Sequence, residues 1–285
     1  MRRLLRDLWR ICWADKPALI GGVVILVYVF FALFGPLLTH IKPGVGNPLD
    51  AYLAPSWQHP LGTDNLGNDI LSEIILGTRP ILLVGVAAAV MTVFIGVVVG
   101  LVSGYFGGRF DAVAMRVVDV FLTIPGLPLI IVLASILRVT NPLVLAAVLS
   151  ITAWAGLARV IRSQALSLRT ADFVDAAKIS GLPLRNIISR QLLPNVGPYV
   201  AISFMLAITG AIYAEIGLFV LGVAPVSGSN WGVMINLAMS QGALYTTKSL
   251  SYLFSPMVAI VILQVAFIFF TRALDSIFNP RLRVQ

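Results

Sequence analysis

The sequence predicts an all-α, polytopic integral membrane protein with six transmembrane helices and both termini in the cytoplasm. Charged residues make up only 11% of the 285-residue chain, against about 25% in a soluble domain. Mean hydropathy is +0.96. The apolar residues gather into six runs, 18–38, 80–104, 117–137, 142–158, 196–222 and 253–271, each near the roughly 20 residues that a helix needs to cross a bilayer. The cations set the orientation. With the N-terminus inside, sixteen of the twenty Lys and Arg residues fall on inner segments and only Lys42, Arg79, Arg138 and Lys248 on outer ones, which is the positive-inside bias. A net charge of +8 spread between apolar runs sets topology and builds no soluble basic face, so the expected partner is the lipid bilayer and not nucleic acid. The chain divides into an N-terminal helix, 1–17, and a six-span domain, 18–285, with external segments 39–79 and 223–252 and a cytoplasmic segment 159–195.

Taken in order, the opening "RRLLRDLWRICW" places Leu4, Leu5, Leu8, Trp9 and Cys12 on one helical face and arginines on the other, as in a helix lying in the membrane interface. The first apolar run is too long for a cleaved signal peptide. Residues 59–79 read as an outer turn at Gly62, a cap at Thr63 or Asp64, and a short helix into the second span. Asp64, Asp69 and Glu73 make that outer face acidic, suited to orienting a partner by charge; they are too few, and wrongly spaced, for a metal loop. Along the second span Gly96, Gly100, Gly104 and Gly108 recur every four residues, a stripe that lets another helix approach. Arg116 and Asp119, three apart, read as a local ion pair at the start of the third span. Pro125 and Pro128 should kink that span, since each removes a backbone donor.

The fourth span is short, and the segment after it holds the densest charge: six cations from Arg159 to Arg190 and two acids, Asp172 and Asp175. Thr170 is placed to cap a helix beginning at Ala171, with Asp172 in its favourable first turn. Gly181 is its natural stop, and Pro183 opens a second short helix before the fifth span. Ala176 and Ala177 would leave a flat patch beside Phe173, open to another protein. Inside the fifth span stands Glu215. An intramembrane acid is expensive; it would contact substrate, line a wet pathway or fix a helix contact.

Catalysis by this chain alone is not expected. None of the four lysines follows a glycine, so there is no phosphate-binding P-loop. His40 and His59 lack a zinc spacing, and no G-x-S-x-G elbow occurs. The single cysteine, Cys12, excludes an intrachain disulfide. No metal and no cofactor is expected in this chain.

The order Asp175-Ala176-Ala177, then Gly181, then Gln191-Leu192-Leu193-Pro194 resembles the cytoplasmic EAA loop of the permease subunits of ABC importers, with both gaps kept. Asp175 stands for the usual Glu and Gln191 for the usual Ile. "HPLGTDNLGNDILSEIILGTR" (59–79) resembles a segment of the oligopeptide/dipeptide permease family, C-type subunit, with Asn68 and Glu73 in place of two arginines. "GYFGGRFDAVAMRVVDVFLTIPGLPL" and "AEIGLFVLGVAPVSGSNWG" are similar to the same subunit. The resemblance implies the ABC importer permease fold and no catalytic residue in this chain. It implies ATPase coupling through Phe173, Asp175, Ala176, Ala177, Gly181, Leu193 and Pro194. It also implies a second homologous permease subunit, two cytoplasmic ATPase subunits that bind the ATP and Mg, and an external substrate-binding protein, for which Asp64, Asp69 and Glu73 are candidate docking residues. The implied cargo is peptide, with oligosaccharide or a nickel chelate as alternatives. A stand-alone secondary transporter or channel is the competing class. It would need its own ion-coupling site and repeats, and here there is one intramembrane acid and no visible repeat.

Overall fold

A chain in hydrocarbon must pair its own backbone groups, and helices do so here. The computed structural model describes residues 16–39, 46–137, 139–223, 229–242 and 250–278. The predicted interface helix at 1–17 therefore lies almost wholly outside the described residues. The helices are α1 Lys16–Leu38, α2 Ile70–Phe106, α3 Gly108–Thr123, α4 Gly126–Leu137, α5 Pro142–Leu168, α6 Asp172–Ile179, α7 Leu184–Asn186, α8 Leu193–Val220, α9 Trp231–Ser240 and α10 Leu250–Phe278. A π-helical turn, Ile187–Leu192, joins α7 to α8 without a break, so Leu184–Val220 is one rod. The second short helix expected at Pro183 is thus the start of the fifth span.

Among the described residues five helices, counting that rod as one, are long and apolar enough to cross a membrane, and the pair α3 and α4, bent by 84°, makes a sixth when taken as one broken span. The expected kink is a full break. Ile124 is extended, with φ −78° and ψ 126°, because the proline after it disfavours the helical conformation. Pro128 lies in the first turn of α4, where no intrahelical donor is lost. In the segment expected outside lies α9, whose Trp231, Val233, Met234, Ile235 and Ala238 are buried against the bundle. A ten-residue helix is too short to span a bilayer.

α2 is the central helix. It runs parallel to α5 along the longest interface, where a Cβ on Gly100 would lie 2.6 Å from the Ala158 carbonyl oxygen and one on Gly104 would lie 2.6 Å from Ala165 Cβ. Gly96 meets Leu157 in the same row. The predicted stripe ends there: Gly108 faces open space and serves, with Gly107, as a left-handed turn into α3, at φ +65° and +56°. α8 runs antiparallel to α2, with Ile212 over Gly85, and α1 pairs with α10 through Gly21 under Ala266.

Candidate functional site

The loop between α5 and α8 is fastened from within. Thr170 does not cap α6; its hydroxyl donates back to the Ser167 carbonyl at 3.1 Å. Ala171 holds the cap position with extended backbone, and the helix starts at Asp172. Neighbouring residues on a helix point in different directions, while residues three apart share a face. Val174 and Ala177 accordingly share the inner face, packed with Ile161, Ile187, Leu192 and Val196. The expected two-alanine patch is therefore corrected: Ala177 is buried against its own bundle, and Ala176 faces outward with Phe173. Ile179 is 88% exposed, and Leu182 also projects.

Gly181 ends α6 at φ +70°. Gly181 N–H donates to the Lys178 carbonyl at 3.0 Å and Leu182 N–H to the Ala177 carbonyl at 3.1 Å, the paired closure that requires a left-handed residue between helix and exit. A Cβ here would meet nothing within 4 Å, so glycine is needed for its φ and not for space. Asp175, exposed, accepts from Lys178 at 2.9 Å, and the same ammonium donates to the Arg169 carbonyl at 3.1 Å, tying α6 to the end of α5. Leu193 and Pro194 are exposed where α8 begins. Leu193 N–H reaches back five residues to Ile188, and the wide turn comes just before Pro194, which has no N–H to give.

Beside this loop lies an ion pair that sequence reading missed. Arg162 donates to both carboxylate oxygens of Asp111, through Nε at 2.6 Å and through Nη2, and Ser103 Oγ donates to Asp111 at 2.6 Å. The cluster joins α2, α3 and α5. Asp119 likewise takes its cation from α5: Arg159 donates to it at 2.6 Å, which replaces the expected local pair with Arg116. Local spacing carries no sign of partners forty or more residues away.

Glu215 is buried on α8. Asn230 Nδ2 donates to Glu215 Oε1 at 3.1 Å, and Asn230 Oδ1 accepts from Gly232 N–H at 2.9 Å, capping α9. Trp231 Nε1 then donates to the Ile74 carbonyl at 3.0 Å, and its ring meets Tyr28 edge to face at 5.8 Å. Glu215 thus holds the start of α9. Its Oε2 has no partner among the described residues, and the side chain borders a cavity of about 60 Å³ with Asn141 and Thr140. Asn230 went unnoticed in the sequence, although an Asn directly before an apolar run is a helix-start signal. A larger cavity, of about 590 Å³, opens between α2, α4, α5 and α8, and Glu215 does not line it.

The three outer acids are buried, not exposed. Asp64 Oδ1 accepts from Leu66 N–H at 2.8 Å and Asn68 N–H at 2.7 Å, and its Oδ2 accepts from the Asn68 amide at 2.9 Å. Asp69, not Thr63 or Asp64, caps α2: Oδ2 accepts from Ser72 N–H at 2.9 Å and Ser72 Oγ at 2.7 Å, while Oδ1 lies 3.3 Å from His59 Nδ1. Glu73 sits one turn in, also buried. The expected acidic outer surface is corrected accordingly: Asp64 and Asp69 bond within the loop that starts α2, and Glu73 is buried with its Oε2 unpaired among the described residues. Among the described residues no group of three or more His, Cys, Asp or Glu side chains is placed to hold a metal ion.

Comparison with known proteins places this arrangement. Residues 96–284 match the family described as binding-protein-dependent transport system inner membrane component, and residues 3–55 match the N-terminal TM domain of oligopeptide transport permease C. The chain is 31% identical to the oligopeptide transport system permease protein OppC of Bacillus subtilis, over 95% of this chain and 87% of that one. It is 35% identical to the dipeptide transport system permease protein DppC of the same organism, over 81% and 72%, and 32% identical to OppC of Lactococcus lactis subsp. cremoris, over 94% and 91%. The chain belongs to the binding-protein-dependent transport system inner membrane components, as a multi-pass permease subunit of an ABC importer.

Proposed function

We propose that this subunit forms, with a second homologous permease, the membrane pathway of a peptide importer, and that α6 is where ATP hydrolysis acts on it. Peptide is the cargo named for the similar permeases. Two ATPase subunits, which bind the ATP and Mg, meet the loop 159–195 on the cytoplasmic side, and a substrate-binding protein delivers peptide to the opposite face. The observation that carries the reading is the division of α6 into two faces: Val174 and Ala177 seat it on the bundle, while Phe173, Ala176, Ile179 and Leu182 project with no cover of their own. Exposed apolar side chains grouped on a short, firmly anchored helix mark a protein contact. Closure of the ATPases would move α6, and the rod Leu184–Val220 would move with it through Gly181. Such rigid-body switching between two packings needs no bond chemistry in this chain.

The test is co-purification followed by peptide-stimulated ATP hydrolysis in liposomes. Ile179→Asp should reduce recovery of the ATPase chains about tenfold or more, as loss of a buried apolar anchor does at an interface. Ala177→Leu should act differently, by overpacking this chain's own core, and lower its thermal stability. Full ATPase recovery and normal stimulation in Ile179→Asp would refute the coupling role.

A further inference from the structure

The 590 Å³ cavity holds a chemistry that packing does not explain. Thr92, Thr152, Tyr199 and Ser203 line it, and none of their hydroxyls has a hydrogen-bond partner among the described residues. Several other hydroxyls in the spans are satisfied on their own helix: Thr78 donates to Ile74, Ser150 to Ala147 and Thr271 to Phe267, at 2.7–2.9 Å. Thr92 is 5% exposed and lines this cavity. Gly156 and Gly210 line it too, and a Cβ on either would meet nothing within 4 Å. Glycine inside a helix costs about 1 kcal/mol relative to alanine. Here that cost brings no closer helix packing within the chain, only a wider cavity. No charged side chain lines it.

We propose that this cavity is a stretch of the translocation pathway that receives its solute through neutral hydrogen bonds from Thr92, Thr152, Tyr199 and Ser203, and so passes peptides without selecting the sign of their charge. The proposal rests on the peptide-importer reading. A lipid tail, or an apolar helix of the second permease, offers these hydroxyls no partner, and Tyr199, whose phenol cannot bond back to its own helix as Thr78 does, would lose about 1–3 kcal/mol. Water and the amides of a peptide satisfy them. The volume lies within the roughly 300–1,000 Å³ of small-ligand sites. The absence of charge also suits passage, because a fixed charge in a low-dielectric site would hold one class of peptide and repel another.

Two measurements on the assembled complex in liposomes test this. In a Cys12→Ser background, Thr152→Cys and Ser203→Cys should react with the anionic reagent 2-sulfonatoethyl methanethiosulfonate about tenfold or more faster than Ile262→Cys on exposed α10, because a charged reagent does not enter lipid. Saturating tri-alanine during turnover should slow both. Rates as low as that of Ile262→Cys would overturn the proposal and mean that lipid or a helix fills the cavity. Next, Ser203→Asp should raise the uptake ratio of a lysine-containing to a glutamate-containing tripeptide about tenfold over wild type, the effect of one nearby charge in a partly dry site. An unchanged ratio, with ATPase stimulation intact, would overturn it as well. If the wild-type complex moves no tripeptide while the thiols still react and stay unprotected, the peptide reading fails and the proposal falls with it; reactive thiols with normal uptake but no shift in ratio defeat the proposal alone.

Discussion

The pairing of α2 with α5 can be tested by one substitution made at two glycines. Gly100→Ala puts a methyl group 2.6 Å from the Ala158 carbonyl oxygen and 2.7 Å from Ile161 Cβ. Carbon atoms pack at about 3.5–4.0 Å, so the helices must part by close to an ångström. Neither obstacle is a side-chain end that could swing away. Overpacking costs about 1–3 kcal/mol, and rigid obstacles put Gly100 at the upper end. Better helix propensity offsets about 1 kcal/mol. The net loss is about 2 kcal/mol, equivalent to a fall of about 4–8 °C in the unfolding midpoint. Gly156→Ala, with nothing within 4 Å of the new carbon, keeps the propensity gain and should leave the midpoint unchanged or raise it by about 2–4 °C. The assay is thermal unfolding of the purified complex at one fixed scan rate, since such unfolding is often irreversible. Refutation would be Gly100→Ala matching wild type while Gly156→Ala destabilises, for then the close approach would lie on the other face of the bundle.

Two further outcomes are expected. Trp57, fully exposed in the loop before α2, and Ile179 should lie on opposite sides of the membrane; in a Cys12→Ser background Trp57→Cys should react with an impermeant reagent added outside intact cells and Ile179→Cys should not, and the reverse pattern would invert the orientation read from the cations. Glu215→Ala should leave the buried Asn230 amide unpaired, at about 1–3 kcal/mol, and lower the midpoint. Glu215→Gln keeps an oxygen acceptor and should stay near wild type in stability, so that any fall in its transport rate would be assigned to the carboxylate itself. An unchanged midpoint in Glu215→Ala would remove its role in holding α9.

Hydropathy carried the six crossings because each apolar run matches the bilayer, and that length constraint acts on sequence alone. It could not reveal how α9 packs: a ten-residue helix between two loops gives no sign in hydropathy that Trp231 sits between α1 and α2. The break at Ile124 was legible as a kink from Pro125, but its 84° depends on what α4 packs against. In the loop, the motif missed the facing of α6, although Val174 and Ala177 at helical spacing already formed the apolar side. The outer acids misled because composition counts charge and not its partners. Asp64 takes its donors from Leu66 and Asn68, two and four residues on, a closed local ring that resembles an open acidic patch when only residue types are read. Arg162 and Asp111 lie fifty-one residues apart and meet only because α2 carries α3 back toward α5.

The π-helical turn at Ile187–Leu192 has a mechanical consequence. From Leu184 to Glu215 the chain is an unbroken rod of roughly 45 Å at the helical rise, so a push at the loop end arrives at the support of α9 with little slack. The turn sets the angular phase of that rod. A helix advances about 100° per residue, and the wide turn accommodates one residue more than the α register allows. Deleting a single residue between Ile187 and Leu192 would tighten the turn and rotate Gly181 and α6 by about 100° around the axis of α8. Every span would remain intact, and Phe173 and Ile179 would be turned away from the side on which they now stand, so that a partner docked there would lose its footing.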